Sequence, residues 1–194
     1  ASSAASDVYK RQHLYYTNNV DDITKADIIL LPGSKNTLDD LYELRRNGVA
    51  QAILKASQEG ATVMGICGGY QMMGLEVRDP EGVEGNVRML PGLGLLPVIT
   101  TMQGDKVTRQ VEFTFDGTEA LCKGYEIHMG RTVPAEGSPP SPFNQLADGR
   151  EDGYQDKQKK CLGTYIHGIL DNQPFIDFLL APYIGKPVSY THLR

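Results

Sequence analysis

The chain has 194 residues, 40% of them hydrophobic, and a formal net charge of -5, which suits one well-buried domain and is too short for two ordinary ones. It has no basic run to mark a nucleic-acid or anionic-membrane partner, and no apolar stretch near the roughly 18 residues of a membrane span. Three irregularly spaced cysteines argue against a disulfide framework, and no charged segment leads into an apolar signal core, so a reducing, cytoplasmic setting is expected.

Along the chain, residues 1–12 (ASSAASDVYKRQ) carry no apolar period, and 188–194 (VSYTHLR) follow a stop at Gly185-Lys186-Pro187. Both resemble translated adapter sequence and are expected to be non-native tails outside the fold, leaving 13–187 as one domain. Asp27 to Leu31 is an apolar run halted by Pro32-Gly33, the pattern of a buried parallel strand. A helix follows, with Thr37 and Asp40 spaced as a capping box and Leu38, Leu41 and Leu44 forming its stripe. Asn47-Gly48 punctuates it, and Val49 to Gln58 continues to Gly60. Ala61 to Ile66 is the next strand and ends at Cys67. This order predicts a right-handed crossover in a mainly parallel sheet, with Gly33 and Cys67 on one rim at the strands' carboxyl ends. Val87 to Thr101 and Arg109 to Phe115 read as strands of an antiparallel extension. Ala135 to Pro142 reads as a loop, and Gly149 to Lys160 as a polar, mobile segment. Cys161 to Ile166 is a last strand delivering His167-Gly168, and Gln173 to Leu180 a closing helix.

Gly65-Ile66-Cys67-Gly68-Gly69 has the Gly-x-nucleophile-x-Gly spacing of a strained strand-to-helix turn, with sulfur as the nucleophile. At a helix N-terminus the thiolate would be favoured. The alternative is a small buried hydrophobe at a strand end. Of the four histidines, His167 sits where an α/β fold presents catalytic groups, and His128 lies in the polar run Gly124 to Gly130. A histidine from elsewhere in the chain is the usual activator of a nucleophilic cysteine.

With these motifs in order, the chain from about Leu14 to Ile184 resembles the class I glutamine amidotransferase family, and within it the glutaminase domains of the cobyric acid synthase branch. The carriers are Leu31 to Thr37 (LPGSKNT), Gly65 to Gln71 (GICGGYQ), Gly92 to Pro97 (GLGLLP), Gly124 to Thr132 (GYEIHMGRT) and Gly163 to Gly168 (GTYIHG). The resemblance implies a flavodoxin-like α/β fold: an open, mainly parallel sheet with helices on both faces and an antiparallel extension. It also implies that Cys67 attacks the amide of glutamine, that His167 carries the proton, and that backbone N–H groups at Gly33 and Gly68 hold the oxyanion. Gln71 matches a position that contacts glutamine, with an ordinary helix polar residue as the alternative. Tyr125, Glu126 and His128 fall where the amino-acid end of glutamine is held. Many relatives carry a glutamate two residues after the histidine; here Ile169 stands there, and Asp171 or Glu126 are the candidates to orient His167.

No metal or cofactor is expected in this chain. The branch resembles two-domain enzymes in which an N-terminal synthetase domain uses ATP and Mg2+ on a corrinoid acceptor, adenosylcobyrinic acid a,c-diamide, fed with ammonia by the glutaminase. No P-loop motif is present, so the chain is expected to be an amidotransferase domain cut from a larger enzyme, beginning after the fold's first strand and leaving the sheet one strand short. Two other readings are open: a glutaminase for another acceptor, in cobyrinate a,c-diamide synthesis or peptidoglycan glutamate amidation, and a catalytically inactive docking module.

Overall fold

The structure, a computed structural model, describes residues 12–185 and 188–193. Its central sheet has the order β1 (Gln12–Tyr16), β15 (Val188–His192), β2 (Ile28–Leu31), β3 (Thr62–Ile66), β13 (Cys161–Thr164) and β12 (Tyr154–Asp156). Neighbours are parallel except the β13–β12 edge, which is antiparallel. β1 reaches β2 through α1 (Val20–Thr24), and β2 reaches β3 through α2 (Thr37–Arg46) and α3 (Val49–Gln58). α4 (Gly68–Met73) leaves β3, and α5 (Gln173–Leu180) comes late in the chain.

Strand alternation explains the layers. Ile29, Leu31 and Val63 pack in one core with Leu41 of α2 and Ile53 of α3. Ile28, Leu30 and Met64 point into the other, with Phe113, Phe115 and Phe175. Burying one such side chain stabilises the fold by about 1.5–3 kcal/mol, so all four residues of β2 are buried and neither face of that strand can be solvated. The break at Asn47-Gly48 stands as expected, but the α2 cap is one residue earlier: Asn36 accepts the Asp39 N–H at 2.9 Å. Thr37, expected in that role, instead donates its hydroxyl to Gln71 at 2.8 Å.

Only β12 extends the central sheet antiparallel. The other antiparallel strands form two further sheets: β11 (Glu151–Asp152), β10 (Asn144–Leu146), β7 (Val107–Phe115), β8 (Cys122–His128) and β14 (Ile166–His167), and separately β5 (Met89–Pro91), β4 (Glu76–Arg78), β6 (Val98–Thr101) and β9 (Arg131–Pro134), in which β4 and β6 are parallel. The predicted strand 161–166 is broken at Tyr165, so the chain leaves the parallel sheet and enters the antiparallel one just before His167. The segment 149–160 is not a mobile loop, because its Asp152 is buried beneath hydrogen bonds from Asn144, Thr164 and the Tyr165 N–H.

The C-terminal segment does not stand outside the fold. Val188–His192 runs between β1 and β2 and satisfies ladder groups of both. Asp27 pins it, its carboxylate accepting the Ser189 N–H at 2.8 Å. Of the N-terminal tail, residues 1–11 lie outside the described residues, and Gln12 opens β1. Among the described residues no helix is long and apolar enough to cross a membrane.

Candidate active site

The site begins where β3 ends. Cys67 has φ 54 and ψ -112, one of three non-glycine residues at positive φ among those described, a strained conformation for a side-chain-bearing residue. It is held from both sides: the Cys67 N–H donates to the Thr164 carbonyl at 2.8 Å, and the Cys67 carbonyl accepts the Gln71 N–H at 3.0 Å. The flanking glycines are steric requirements. A Cβ at Gly65 would stand 2.6 Å from the Gly69 carbonyl, and one at Gly69 would stand 2.1 Å from the Leu31 oxygen. α4 therefore lies directly on β2 and β3, and its N-terminus opens beside the Gly33-Ser34 turn, where a Gly68 Cβ would lie 2.8 Å from the Ser34 nitrogen.

The thiol is only 8% exposed and donates to the Ile127 carbonyl at 3.4 Å. Burial pushes its pKa up to about 11; the Gly68 N–H works in the opposite direction and the negative charge of Glu84 adds to the rise. Burial thus works against the thiolate that the helix terminus was expected to favour. A buried helix of six residues supplies one good donor, and desolvation outweighs it.

His167 lies opposite Tyr125 in the β14–β8 pairing. The two rings stack at 5.1 Å and 11°. Burial holds the imidazole pKa below its ordinary value, the Ile127 carbonyl opposing and His128 adding to the fall, and Nε2 is buried with no hydrogen-bond partner among the described residues. Gly33 lies between these two side chains: a Cβ there would stand 3.2 Å from His167 Cε1 and 3.8 Å from Cys67 Cβ. The Ile127 carbonyl, which accepts from the thiol, also acts on the imidazole by raising its pKa. Cys67, His167, Gly33 and Gly68 are therefore in one place.

The groups acting on the imidazole are Tyr125, Ile127 and His128, so the suggestion that Asp171 or Glu126 orients it fails. Glu126 is buried and commits its carboxylate to Arg150 at 3.2 Å and Arg109 at 3.3 Å, with His128 Nε2 at 3.9 Å. Burial alone would raise its pKa, yet His128 and Arg150 hold it below the usual range. The Asp171 carboxylate lies beside Gly168.

A cavity of about 240 Å³ opens onto the thiol and is lined by Lys35, Cys67, Gln71, Glu84, Lys106 and His128 among others. Gln71 is nearly sealed: its amide accepts from Thr37 and donates to the Met129 carbonyl at 2.9 Å and the Tyr165 hydroxyl at 3.2 Å. His128 stacks on Tyr165 at 3.8 Å and separates this cavity from one of about 270 Å³ lined by Arg109, Glu126, Arg150 and Asp152. Tyr125 touches His167 from outside the first cavity. Glu84 and Lys106 escaped sequence reasoning, as no periodicity marks them; Lys35 belongs to the Leu31–Thr37 motif, which assigns it no role. Among the described residues no group of three or more His, Cys, Asp or Glu side chains is placed to hold a metal.

Comparison with known proteins bears on this arrangement. The model of the CobB/CobQ-like glutamine amidotransferase domain family matches residues 7–175. A cobyric acid synthase of Phocaeicola vulgatus is 69% identical over 95% of this chain and 37% of its own length. One of Bacteroides fragilis is 68% identical over 91% of this chain and 35% of its own. This chain thus spans little more than a third of these relatives. A solved glutamine amidotransferase shares the fold at a TM-score of 0.55 and 17% identity, covering 80% of this chain and 78% of that one. PurLQS of Thermotoga maritima does so at 0.55 and 16%, covering 84% and 90%.

Proposed function

Since the chain belongs to the CobB/CobQ-like glutamine amidotransferase domain family, we propose that it hydrolyses glutamine through a thioester on Cys67, with His167 as its only proton carrier. The observation that carries this reading is the strained cysteine beside an imidazole whose Nε2 is buried and unpartnered. The reaction starts from two neutral groups, because burial disfavours both the thiolate and the imidazolium. As the sulfur bonds to the side-chain amide carbon of glutamine, the S–H proton passes to His167 Nε2. The oxyanion accepts from the Gly68 N–H and a backbone N–H of the Gly33-Ser34 turn, each such donor contributing about 3 kcal/mol to the transition state. Collapse breaks the C–N bond, and the imidazolium returns its proton to the leaving nitrogen as ammonia. Water, deprotonated by the same imidazole, then cleaves the thioester to glutamate and restores the thiol.

The acceptor reading follows the relatives' names. With 69% identity to a cobyric acid synthase, the ammonia is assigned to amidation of a corrinoid carboxylate on a separate synthetase domain, which would use ATP and Mg2+. Ammonia release from glutamine tests the first half: activity abolished in Cys67→Ser and restored in no other cysteine background supports it, whereas activity surviving Cys67→Ser rejects it. Adding the synthetase part of such a relative, with ATP and adenosylcobyrinic acid a,c-diamide, tests the second; amide formation on that acceptor is expected, and glutamine consumption with the acceptor unchanged contradicts it.

A further inference from the structure

The groups acting on the His167 ring are Tyr125, Ile127 and His128, and none is an acid, so the place of the ring beside the thiol depends on the backbone that carries it. That backbone crosses between sheets. β13 ends at Thr164 in the central sheet and β14 begins at Ile166 in the sheet of β7 and β8; in the opposite direction, Asp152 ends β11 in the β7–β8 sheet and Tyr154 begins β12 in the central one. The two crossings lie against each other, since Tyr154 pairs with Gly163 and a Cβ at Gly153, which has φ 82, would stand 2.3 Å from the Gly163 oxygen. Asp152 fastens them together. Its Oδ1 accepts the Tyr165 N–H at 3.0 Å, and its Oδ2 accepts from Asn144 Nδ2 at 2.8 Å and from the Thr164 hydroxyl. The Thr164 hydroxyl oxygen in turn accepts the Ile166 N–H at 3.0 Å, and the Thr164 carbonyl accepts the Cys67 N–H at 2.8 Å. The residue that holds the Cys67 backbone and the residues that lead to His167 are thus tied to one carboxylate.

Asp152 is buried and makes no ion pair among the described residues; Arg109 and Arg150, which line the same cavity, pair with Glu126 and Asp148. A buried carboxylate without a cation costs folding free energy that an apolar side chain of similar size would not. Asn144 adds to that cost, because its Nδ2 serves both Asp152 and Thr164 while its buried Oδ1 has no partner. What the arrangement contributes is direction: three donors on one rigid acceptor fix three groups at once. We propose that Asp152 is the positioning residue for Cys67 and His167, setting the thiol against the imidazole through Thr164 and Tyr165, in place of an acid on the imidazole itself. This role presupposes that Cys67 and His167 are the reacting pair.

Asp152→Asn keeps the side-chain shape and one carbonyl oxygen but turns the other acceptor into a donor facing Thr164 and Asn144. Misplacement of a reacting group by about 1 Å corresponds to about 100-fold in rate, so the variant is expected to lower kcat for glutamine hydrolysis about 10- to 100-fold per folded molecule, with KM within about threefold of the wild type. The folded fraction comes from a urea titration. A second readout needs no turnover: the 194-residue chain is treated with 1,3-dibromoacetone, a short bis-electrophile that joins a thiol to an imidazole only where the two are adjacent, and peptide mass spectrometry gives the share of alkylated Cys67 that is bridged to His167. Most of it is expected to be bridged in the wild type, and about tenfold less in Asp152→Asn. Thr164→Val deletes the hydroxyl, keeps the carbonyl that holds Cys67, and is expected to lower the bridged share in the same direction, which carries the test if Asp152→Asn does not fold. A merely stabilising role reduces the folded fraction and leaves both the bridged share and kcat per folded molecule at wild-type values; that result overturns the proposal, as does a loss confined to KM. Wild-type chain alkylated at Cys67 with no bridge to His167 removes the pair and the proposal with it. A bridged wild type that hydrolyses no glutamine removes the glutaminase reading instead, and the bridged share in the variants still decides the role of Asp152.

Discussion

Raising the pH is the perturbation that separates a buried neutral thiol from a resting thiolate–imidazolium pair. With a pKa near 11 instead of the ordinary 9.0, the Cys67 thiolate fraction at pH 7 is about one in ten thousand, roughly a hundredfold below an unperturbed thiol. A rise from 9.0 to about 11 corresponds to about 3 kcal/mol of penalty on the anion, which burial at 8% exposure supplies and a single N–H from Gly68 does not offset. The assay is the initial rate of iodoacetamide labelling at Cys67 between pH 6 and 11, resolved by peptide mass spectrometry. The rate is expected to climb about tenfold per pH unit from pH 7 to near pH 11, with no plateau at neutral pH. A plateau between pH 6 and 8, abolished by His167→Ala, would mean that the thiolate is formed at rest and would refute the neutral-pair account. Cys67 is still expected to label ahead of Cys122 and Cys161, because it is 8% exposed while they are 1% and 2% exposed.

On the proposed mechanism, in which the imidazole carries the proton, His167→Ala lowers kcat for glutamine hydrolysis by about 10²- to 10⁴-fold with little change in KM; steady-state kinetics checks it. Gly69→Ala places a Cβ 2.1 Å from the Leu31 carbonyl oxygen, with backbone on both sides, and should cost about 3 kcal/mol in a urea titration. Asp152→Ala removes the acceptor of Asn144, Thr164 and the Tyr165 N–H, with a loss of about 3 kcal/mol expected by the same measurement. Glu126, whose folded pKa lies below its ordinary 4.5, contributes stability above that pH and loses it as pH falls through the folded value. The urea midpoint should therefore drop from pH 6 to pH 3 more steeply in the wild type than in Glu126→Gln.

Elements governed by local pattern were legible. The stripe of α2, the stop at Asn47-Gly48, the all-apolar β2 and the glycine-bracketed Cys67 are each properties of neighbours in sequence, and the structure places them at the expected residues. What escaped depends on partners far along the chain. Asp152 looked like part of a polar loop because the groups that bury it, Asn144 and Thr164, come from other strands. Thr37 looked like a cap because its true acceptor, Gln71, lies 34 residues on. The direction of the Cys67 shift is a contest between desolvation and one donor, and sequence announces the donor without the burial. Val188–His192 was set aside for its resemblance to foreign sequence, although its β-branched and aromatic residues suit a strand and the sheet has room for it between β1 and β2.

The central claim is that Cys67 is the atom that meets the amide of glutamine. It is tested most directly by treating the folded chain with a glutamine analogue bearing an electrophile in place of that amide, such as 6-diazo-5-oxo-L-norleucine, and mapping the label by peptide mass spectrometry. One label on Cys67, slowed by added glutamine and absent in Cys67→Ser, is the predicted result. No label on Cys67, or label distributed over Cys122 and Cys161 without protection by glutamine, would contradict the account.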